Sequence, residues 1–203
     1  MRKTRVIFVV LLAIFYSSVS LAQEPKPAGI TKRKFKHNGE INAHYDPSSN
    51  KTTVVLNPYR ISVSSTEIPE NKEYFTMMCG FTYSGRTLTG GPDTIEFHII
   101  SDGTRGWKFD DDKKRILSIS IDGERIQLGA MTVVRAKHYA YGGSPVNYAR
   151  SGFLEELYAV LTYEAMTKIA SGKRVSLNVG QQNIDLKNEH MEALRDLVSR
   201  MVP

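Results

Sequence analysis

The residues of this chain best suited to chemistry are three tyrosines in and beside a glycine-containing stretch, Tyr139, Tyr141 and Tyr148. Gly142 and Gly143 lie between the second and the third of them. Each tyrosine offers an apolar ring and a hydroxyl, and a flexible glycine segment lets such rings adapt to a sugar or a protein partner. Tyrosines at the end of a strand also commonly pack on the rim of a domain. We take the three tyrosines as the candidate ligand-binding residues.

Sequence motifs of enzyme active sites are absent. There is no Gly-x-Ser-x-Gly stretch that would mark the nucleophile of a hydrolase. His98 and His138 fall on predicted strands, and nothing in the sequence marks either histidine as the base of a catalytic triad. We therefore name no catalytic residue and expect a protein without catalysis. A secreted hydrolase whose site is assembled from distant strands is the alternative.

Metal-binding and cofactor-binding patterns are also lacking. The five histidines have no ligand spacing, and His-Glu-x-x-His does not occur. The run from Asp110 to Asp112 lacks the layout of a calcium loop and, with Lys113 and Lys114 behind it, is typical of a solvated turn. No glycine loop of the kind that holds phosphates is present. We expect neither a metal nor a cofactor.

The N-terminus has the three parts of a secretory signal peptide. Residues 1–5 are basic, residues 6–16 are apolar, and residues 17–22 end in the small-x-small sequence Ser-Leu-Ala. This apolar run is too short for a membrane-spanning helix, which needs about 20 residues. We therefore predict removal of residues 1–22, export to the periplasm or the extracellular space, and no transmembrane segment in the mature chain.

Loss of this segment halves the net charge. The whole chain carries 27 basic and 21 acidic residues, a net charge of +6. The first 22 residues include three basic residues and no acidic one, which leaves 24 basic and 21 acidic residues, or +3. A charge this small gives no support to nucleic acid binding, and we expect none.

Two segments follow the signal peptide. Residues 23–50 are polar and basic, and we predict a mobile lead-in able to make weak contact with a membrane surface. The basic residues concerned are Lys32, Arg33, Lys34 and Lys36. Residues 51–203 are long enough for a single globular domain with a buried core.

The clearest structural pattern runs from Arg115 to Leu128. Asp122-Gly123 suits a two-residue type I′ turn, and apolar and polar residues alternate along both arms of the hairpin. The predicted pairs are Ile119 with Ile126, Ser120 with Arg125, Ser118 with Gln127, and Leu117 with Leu128. A loop at Gly123-Glu124 would shift the partners but keep every residue on its face, so only turn chemistry favours the first choice.

Further alternating segments predict eight to ten short strands. They include residues 52–56 and 59–63, separated by a break at Asn57-Pro58, then 74–83, 94–101 and 131–139. Residues 140–152 have the composition of a loop. The predicted fold is α+β and mainly β, an antiparallel β-sandwich or partly closed barrel followed by a short helix, a hairpin and a C-terminal amphipathic helix. Thr162 is the expected N-cap of the short helix, and the C-terminal helix has apolar residues at helical spacing from Met191 to Met201.

The single cysteine, Cys79, excludes an internal disulfide. Because it lies in an aromatic, β-prone run, we expect a buried, inert thiol, with pairing between chains as the alternative. The function that these features favour is an exported soluble binding module, or an envelope-associated interaction module, with a protein or carbohydrate partner. A subunit of a surface assembly, in contact through Cys79 or an exposed strand edge, is a further alternative.

Overall fold

The computed structural model describes residues 35–64, 73–104, 106–141 and 150–201. Within that part lie ten β-strands and two α-helices, with a short 3-10 helix at Asp112–Arg115. The strands are β1 (Ile41–Asp46), β2 (Lys51–Ser64), β3 (Glu73–Ser84), β4 (Thr94–Gly103), β5 (Ile116–Ile121), β6 (Glu124–Ala130), β7 (Thr132–Tyr141), β8 (Arg150–Leu161), β9 (Val175–Val179) and β10 (Gln182–Leu186). The helices are α1 (Tyr163–Ser171) and α2 (Asn188–Ser199). The predicted signal peptide, and Lys32, Arg33 and Lys34 of the basic cluster, lie outside the described residues, whereas Lys36 is exposed.

The strands form two antiparallel sheets. One has six strands in the order β1-β2-β3-β4-β8-β7, and the other has four in the order β10-β9-β5-β6. A single apolar core contains residues from both sheets and both helices, for example Phe97, Leu177, Met166 and Leu194. The predicted class, α+β and mainly β with a C-terminal helix, is confirmed. The finer prediction of a sandwich or partly closed barrel stays a prediction.

The hairpin of β5 and β6 turns at Asp122-Gly123, both of which have the positive φ that a type I′ turn requires (53° and 96°). Three of the four predicted pairs are confirmed. The fourth is wrong, because Leu117 faces Gly129 instead of Leu128. Leu128 is the extra residue of a β-bulge, and Gly129 beside it has a φ of 100° that suits a glycine. In the four-stranded sheet β5 lies between β9 and β6, and β6 is an edge strand.

Two features of the first strands differ from the sequence prediction. The predicted break at Asn57-Pro58 is instead a bulge inside one continuous strand, β2, whose register shifts between Leu56 and Tyr59. Proline has no amide hydrogen, and a bulge removes the need for one. In addition, β1 lies in the segment assigned to the lead-in and pairs with β2 along its whole length. None of its six side chains is buried, so it lacks the apolar alternation that marks a strand in the sequence.

The C-terminal third follows the sequence prediction closely. The Thr162 hydroxyl accepts a hydrogen bond from the Ala165 amide at 3.1 Å, which confirms the predicted cap of α1. The predicted apolar faces of α1 and α2 are buried. The loop predicted over residues 140–152 is too long, since β7 extends to Tyr141 and β8 begins at Arg150. Neither described helix is long and apolar enough to cross a membrane.

Candidate binding site

A cleft of about 430 Å³ lies between β2, β10 and the N-terminal turn of α2. Two of the residues that line it, Ile61 and Ile184, are only 2% and 3% exposed and form an apolar floor. The other lining residues are polar or charged: Arg60, Ser62, Asn183, Asp185, Lys187, Glu189 and His190. Seven of the nine lining residues are polar or charged, so the cleft is more polar than most small-molecule sites, with the two isoleucines as its apolar floor.

An irregularity of strand pairing lies beside this cleft. The register of β2 against β3 shifts between Arg60 and Ser62, so Ile61 is an extra residue at that point. Such a bulge bends its strand and redirects the neighbouring side chains. On the opposite side, β10 is an edge strand, and α2 begins two residues after it ends. The short connection through Lys187 therefore fixes the start of α2 against β2.

The charged side chains around the cleft are balanced. Arg60 and Lys187 are cationic, and Asp185 and Glu189 are anionic. The Arg60 guanidinium lies 4.3 Å from the centre of the Tyr74 ring, a cation–π contact that restricts its position. The Asp185 carboxylate accepts a hydrogen bond from the Ser176 hydroxyl at 2.5 Å. The cleft thus presents both signs of charge, and contacts within the protein restrict the positions of Arg60 and Asp185.

His190 connects the two walls of the cleft. Its Nδ1 accepts a hydrogen bond from the Lys187 backbone amide at 3.0 Å, the role that Glu or Gln plays in a capping box. The ring also bonds the Arg60 backbone on β2, and the Tyr59 ring contacts it edge-on at 5.2 Å. Burial is the main cause that lowers the pKa of His190; the Glu189 carboxylate opposes this effect and the Lys187 charge adds to it. The imidazole is neutral and makes two hydrogen bonds to backbone groups. It is therefore suited to holding α2 on β2 and not to accepting a proton from a substrate.

This arrangement predicts a pH-dependent loss of stability. Because the pKa of folded His190 lies below its ordinary value of 6.5, the stabilising contribution of the neutral ring is complete above that value and is lost as the pH falls through the folded pKa. Glutamine at the same position can accept the Lys187 amide without titrating. We expect the unfolding free energy of the wild type to fall relative to His190→Gln as urea titrations move from pH 8 to pH 5. Parallel pH profiles for the two proteins would contradict this role.

The three candidate tyrosines are only partly within the described residues. Tyr139 is half-buried, and its hydroxyl donates a hydrogen bond to the Asp102 carboxylate on β4. Its ring lies across Gly152 of β8, where any β-carbon would overlap it. Tyr139 therefore ties β7 to β4 over the strand between them and does not line the cleft. The Tyr141 side chain and all of Tyr148 lie outside the described residues, so the tyrosine site stays a prediction.

The two histidines considered as bases lie on the six-stranded sheet. His98 Nδ1 lies 3.0 Å from a Glu156 oxygen, and the other oxygen of Glu156 lies 2.9 Å from the Arg135 guanidinium. These three residues come from β4, β8 and β7, which are adjacent, so the cluster ties three strands together. His138 packs on Phe153, with 4.8 Å between the ring centres. In the part of the chain that the structure describes, no three His, Cys, Asp or Glu side chains are grouped to hold a metal ion.

A buried carboxylate that the sequence does not reveal holds the segment after β4. Glu155-Glu156 is typical of a solvent-exposed face, but both side chains are buried. Glu155, 3% exposed, accepts hydrogen bonds from the backbone amides of Lys108 at 2.6 Å and Phe109 at 3.0 Å. The Lys108 ammonium in turn binds the buried carboxylate of Glu73. We call this set, Glu73, Lys108, Phe109 and Glu155, the Glu155 clamp. The one sequence signal of the clamp is the position of Glu155, two residues before the buried Leu157. Residues two apart in a strand share a face, so this acidic residue faces the core.

Cys79 is free and fully buried in β3, and burial raises the pKa of its thiol to about 12. The prediction of a buried thiol is confirmed, and a contact between chains through Cys79 loses its support. The cleft is a concave surface of the described residues at which charged groups converge. Any function has to be argued from this geometry, because comparison with protein families, with curated proteins and with solved structures gives no match.

Proposed function

We propose that the protein is an exported, non-catalytic binding module that holds a small ligand in the cleft between β2, β10 and α2. The observation that carries this proposal is the convergence of two cationic and two anionic side chains over a buried isoleucine floor. Such a site complements a ligand that carries both charges, for example an amino acid or the end of a short peptide. Export is supported by the signal-peptide pattern of residues 1–22.

The bonds of the buried ionisable groups support binding without catalysis. His190 bonds two backbone groups, and Glu155 accepts two backbone amides. Glu156 joins the side chains of His98 and Arg135 on the strands beside it. Each of these groups stabilises the frame of the domain. A rigid frame reduces the entropy lost when a ligand binds, which is an advantage for a binding protein.

Calorimetric titration with glycylglycine, alanylalanine and free glycine tests this proposal, with N-acetylated and amidated forms of the same compounds as probes that lack one of the two charges. We expect binding of a doubly charged form and at least tenfold weaker binding of its blocked forms. Lys187→Gln and Asp185→Asn should each weaken binding about tenfold, since each removes one charge from the cleft.

Lys137→Gln is the matched control for Lys187→Gln. Lys137 is also an exposed lysine, but it lies on β7, four strands from β2 in the same sheet and so about 19 Å away. The control should bind as the wild type does. Equal loss in Lys137→Gln and Lys187→Gln, or no binding of any doubly charged compound by the wild type, would exclude the cleft as this site.

A further inference from the structure

Three rings lie side by side where β7 ends and β8 begins, away from the cleft. The Trp107 and Phe153 rings are 5.0 Å apart at 77°, and Phe153 and His138 are 4.8 Å apart at 38°. Trp107 is 39% exposed, His138 is exposed and Phe153 is half-buried. We call these three residues the aromatic row. It adjoins Tyr139 but shares no residue with the cleft.

The backbone holds Trp107 in this exposed position. The two residues after it, Lys108 and Phe109, belong to the Glu155 clamp, and the Phe109 side chain is buried in the core. Gly106 before it has a φ of 84°, which turns the chain. A single exposed apolar side chain is ordinary on protein surfaces. Here, however, buried carboxylates order the segment that carries an exposed tryptophan. Burying a carboxylate costs free energy unless all of its hydrogen bonds or ion pairs are made.

The chemistry of the rings indicates the kind of ligand. The acidic groups of the clamp are already compensated, Glu73 by the Lys108 ammonium and Glu155 by two backbone amides. Among the described residues of the row, the indole of Trp107 is the exposed apolar group and His138 is the exposed polar one. A pyranose ring fits this surface, because its C–H face stacks on an aromatic ring while its hydroxyls stay in water. Tryptophan is well suited to such contacts, since it provides a large rigid surface at a small entropic cost.

We propose that the aromatic row is a carbohydrate-binding surface on which Trp107 stacks against a pyranose ring of a glycan. Phe153 supports the indole from the side, and exposed His138 supplies a hydrogen-bonding group at the end of the row. This site is independent of the ligand proposed for the cleft. A quaternary ammonium, which binds aromatic rings by cation–π attraction, is the competing ligand class that the experiment has to exclude.

Trp107 is the only tryptophan in the chain, so its fluorescence reports directly on the row. We would titrate the protein with chitohexaose, cellohexaose and maltohexaose, and with tetramethylammonium. We expect a saturable blue shift with at least one of the three glycans and no response to tetramethylammonium. For that glycan, calorimetry should show at least tenfold weaker binding by Trp107→Ala and partial recovery in Trp107→Phe. Phe153→Ala should also weaken binding.

Tyr163→Ala provides the matched control, because Tyr163 is an aromatic residue of similar exposure, 42%, at the start of α1. It should bind the glycan as the wild type does. The proposal is overturned if none of the three glycans changes the emission, if only tetramethylammonium does so, or if Trp107→Ala and Tyr163→Ala bind alike. Trp107 lies outside the apolar core, and urea unfolding of Trp107→Ala shows whether lost binding comes from unfolding.

Discussion

Replacement of Glu155 by alanine is expected to lower the free energy of unfolding by about 3 kcal/mol, because two backbone amides lose a charged acceptor inside the protein. The amides of Lys108 and Phe109 have their hydrogen bonds to this carboxylate in a part of the structure that is largely closed to water. Urea unfolding gives the free energy directly. The emission of Trp107 provides a second measurement, since loosening of the clamp should expose the indole further and shift its spectrum to the red.

Glu124→Ala is a suitable control for this substitution. Glu124 is an exposed glutamate whose contact is a surface ion pair with Lys168, at 2.9 Å. Pairs of this kind contribute about 0–1 kcal/mol, so the control should remain close to the wild type. If Glu155→Ala also unfolds within 1 kcal/mol of the wild type, the carboxylate is not what holds residues 108 and 109.

Replacement of Gly180 by alanine is expected to cost about 3 kcal/mol from two sources, positive-φ strain and steric overlap. Gly180 follows β9 with a φ of 56°. A β-carbon there would lie 2.5 Å from the Lys114 carbonyl oxygen and 2.8 Å from the Lys114 α-carbon. Because both atoms belong to the backbone of the 3-10 helix, no side-chain rotation can relieve the overlap. Thermal and urea unfolding of the variant measure the loss.

Gly85→Ala separates the two sources. Gly85 also has a positive φ, 81°, but among the described residues no atom lies within 4 Å of the position that its β-carbon would take. This variant should therefore show the strain alone, about 1 kcal/mol. Similar losses in the two variants would mean that the approach of Lys114 to Gly180 contributes nothing.

Local chemistry explains which parts of the fold could be predicted. The turn at Asp122-Gly123 and the cap at Thr162 depend on residues within a few positions of each other, and the structure confirms both. The bulge at Leu128 was not anticipated, because the turn and the apolar alternation were extended as a regular ladder in which Leu117 faces Leu128. Strand β1 was missed because it has no apolar pattern. It forms a strand by pairing with β2 at the edge of the sheet.

The candidate site was less accessible to prediction than the fold. The cleft brings Arg60 close to Lys187, and the clamp brings Glu73 close to Glu155. These residues are far apart in the chain, and no sequence motif relates them. Composition alone favoured the tyrosines, of which Tyr139 uses its hydroxyl to tie strands together. His190 could have been interpreted as a capping residue once the start of α2 was placed, since it is the third residue of that helix.

The order of strands in the six-stranded sheet also determines when the edge of β4 is closed. β4 pairs with β3 just before it and with β8, which lies far along the chain, for example at the His98–Glu156 contact 58 residues apart. Without β8, β4 has an open edge at the apolar residues Ile95, Phe97 and Ile99. Unpaired edges of this kind recruit other chains. Pairing with β8 therefore closes the edge of β4 against other chains in the folded protein.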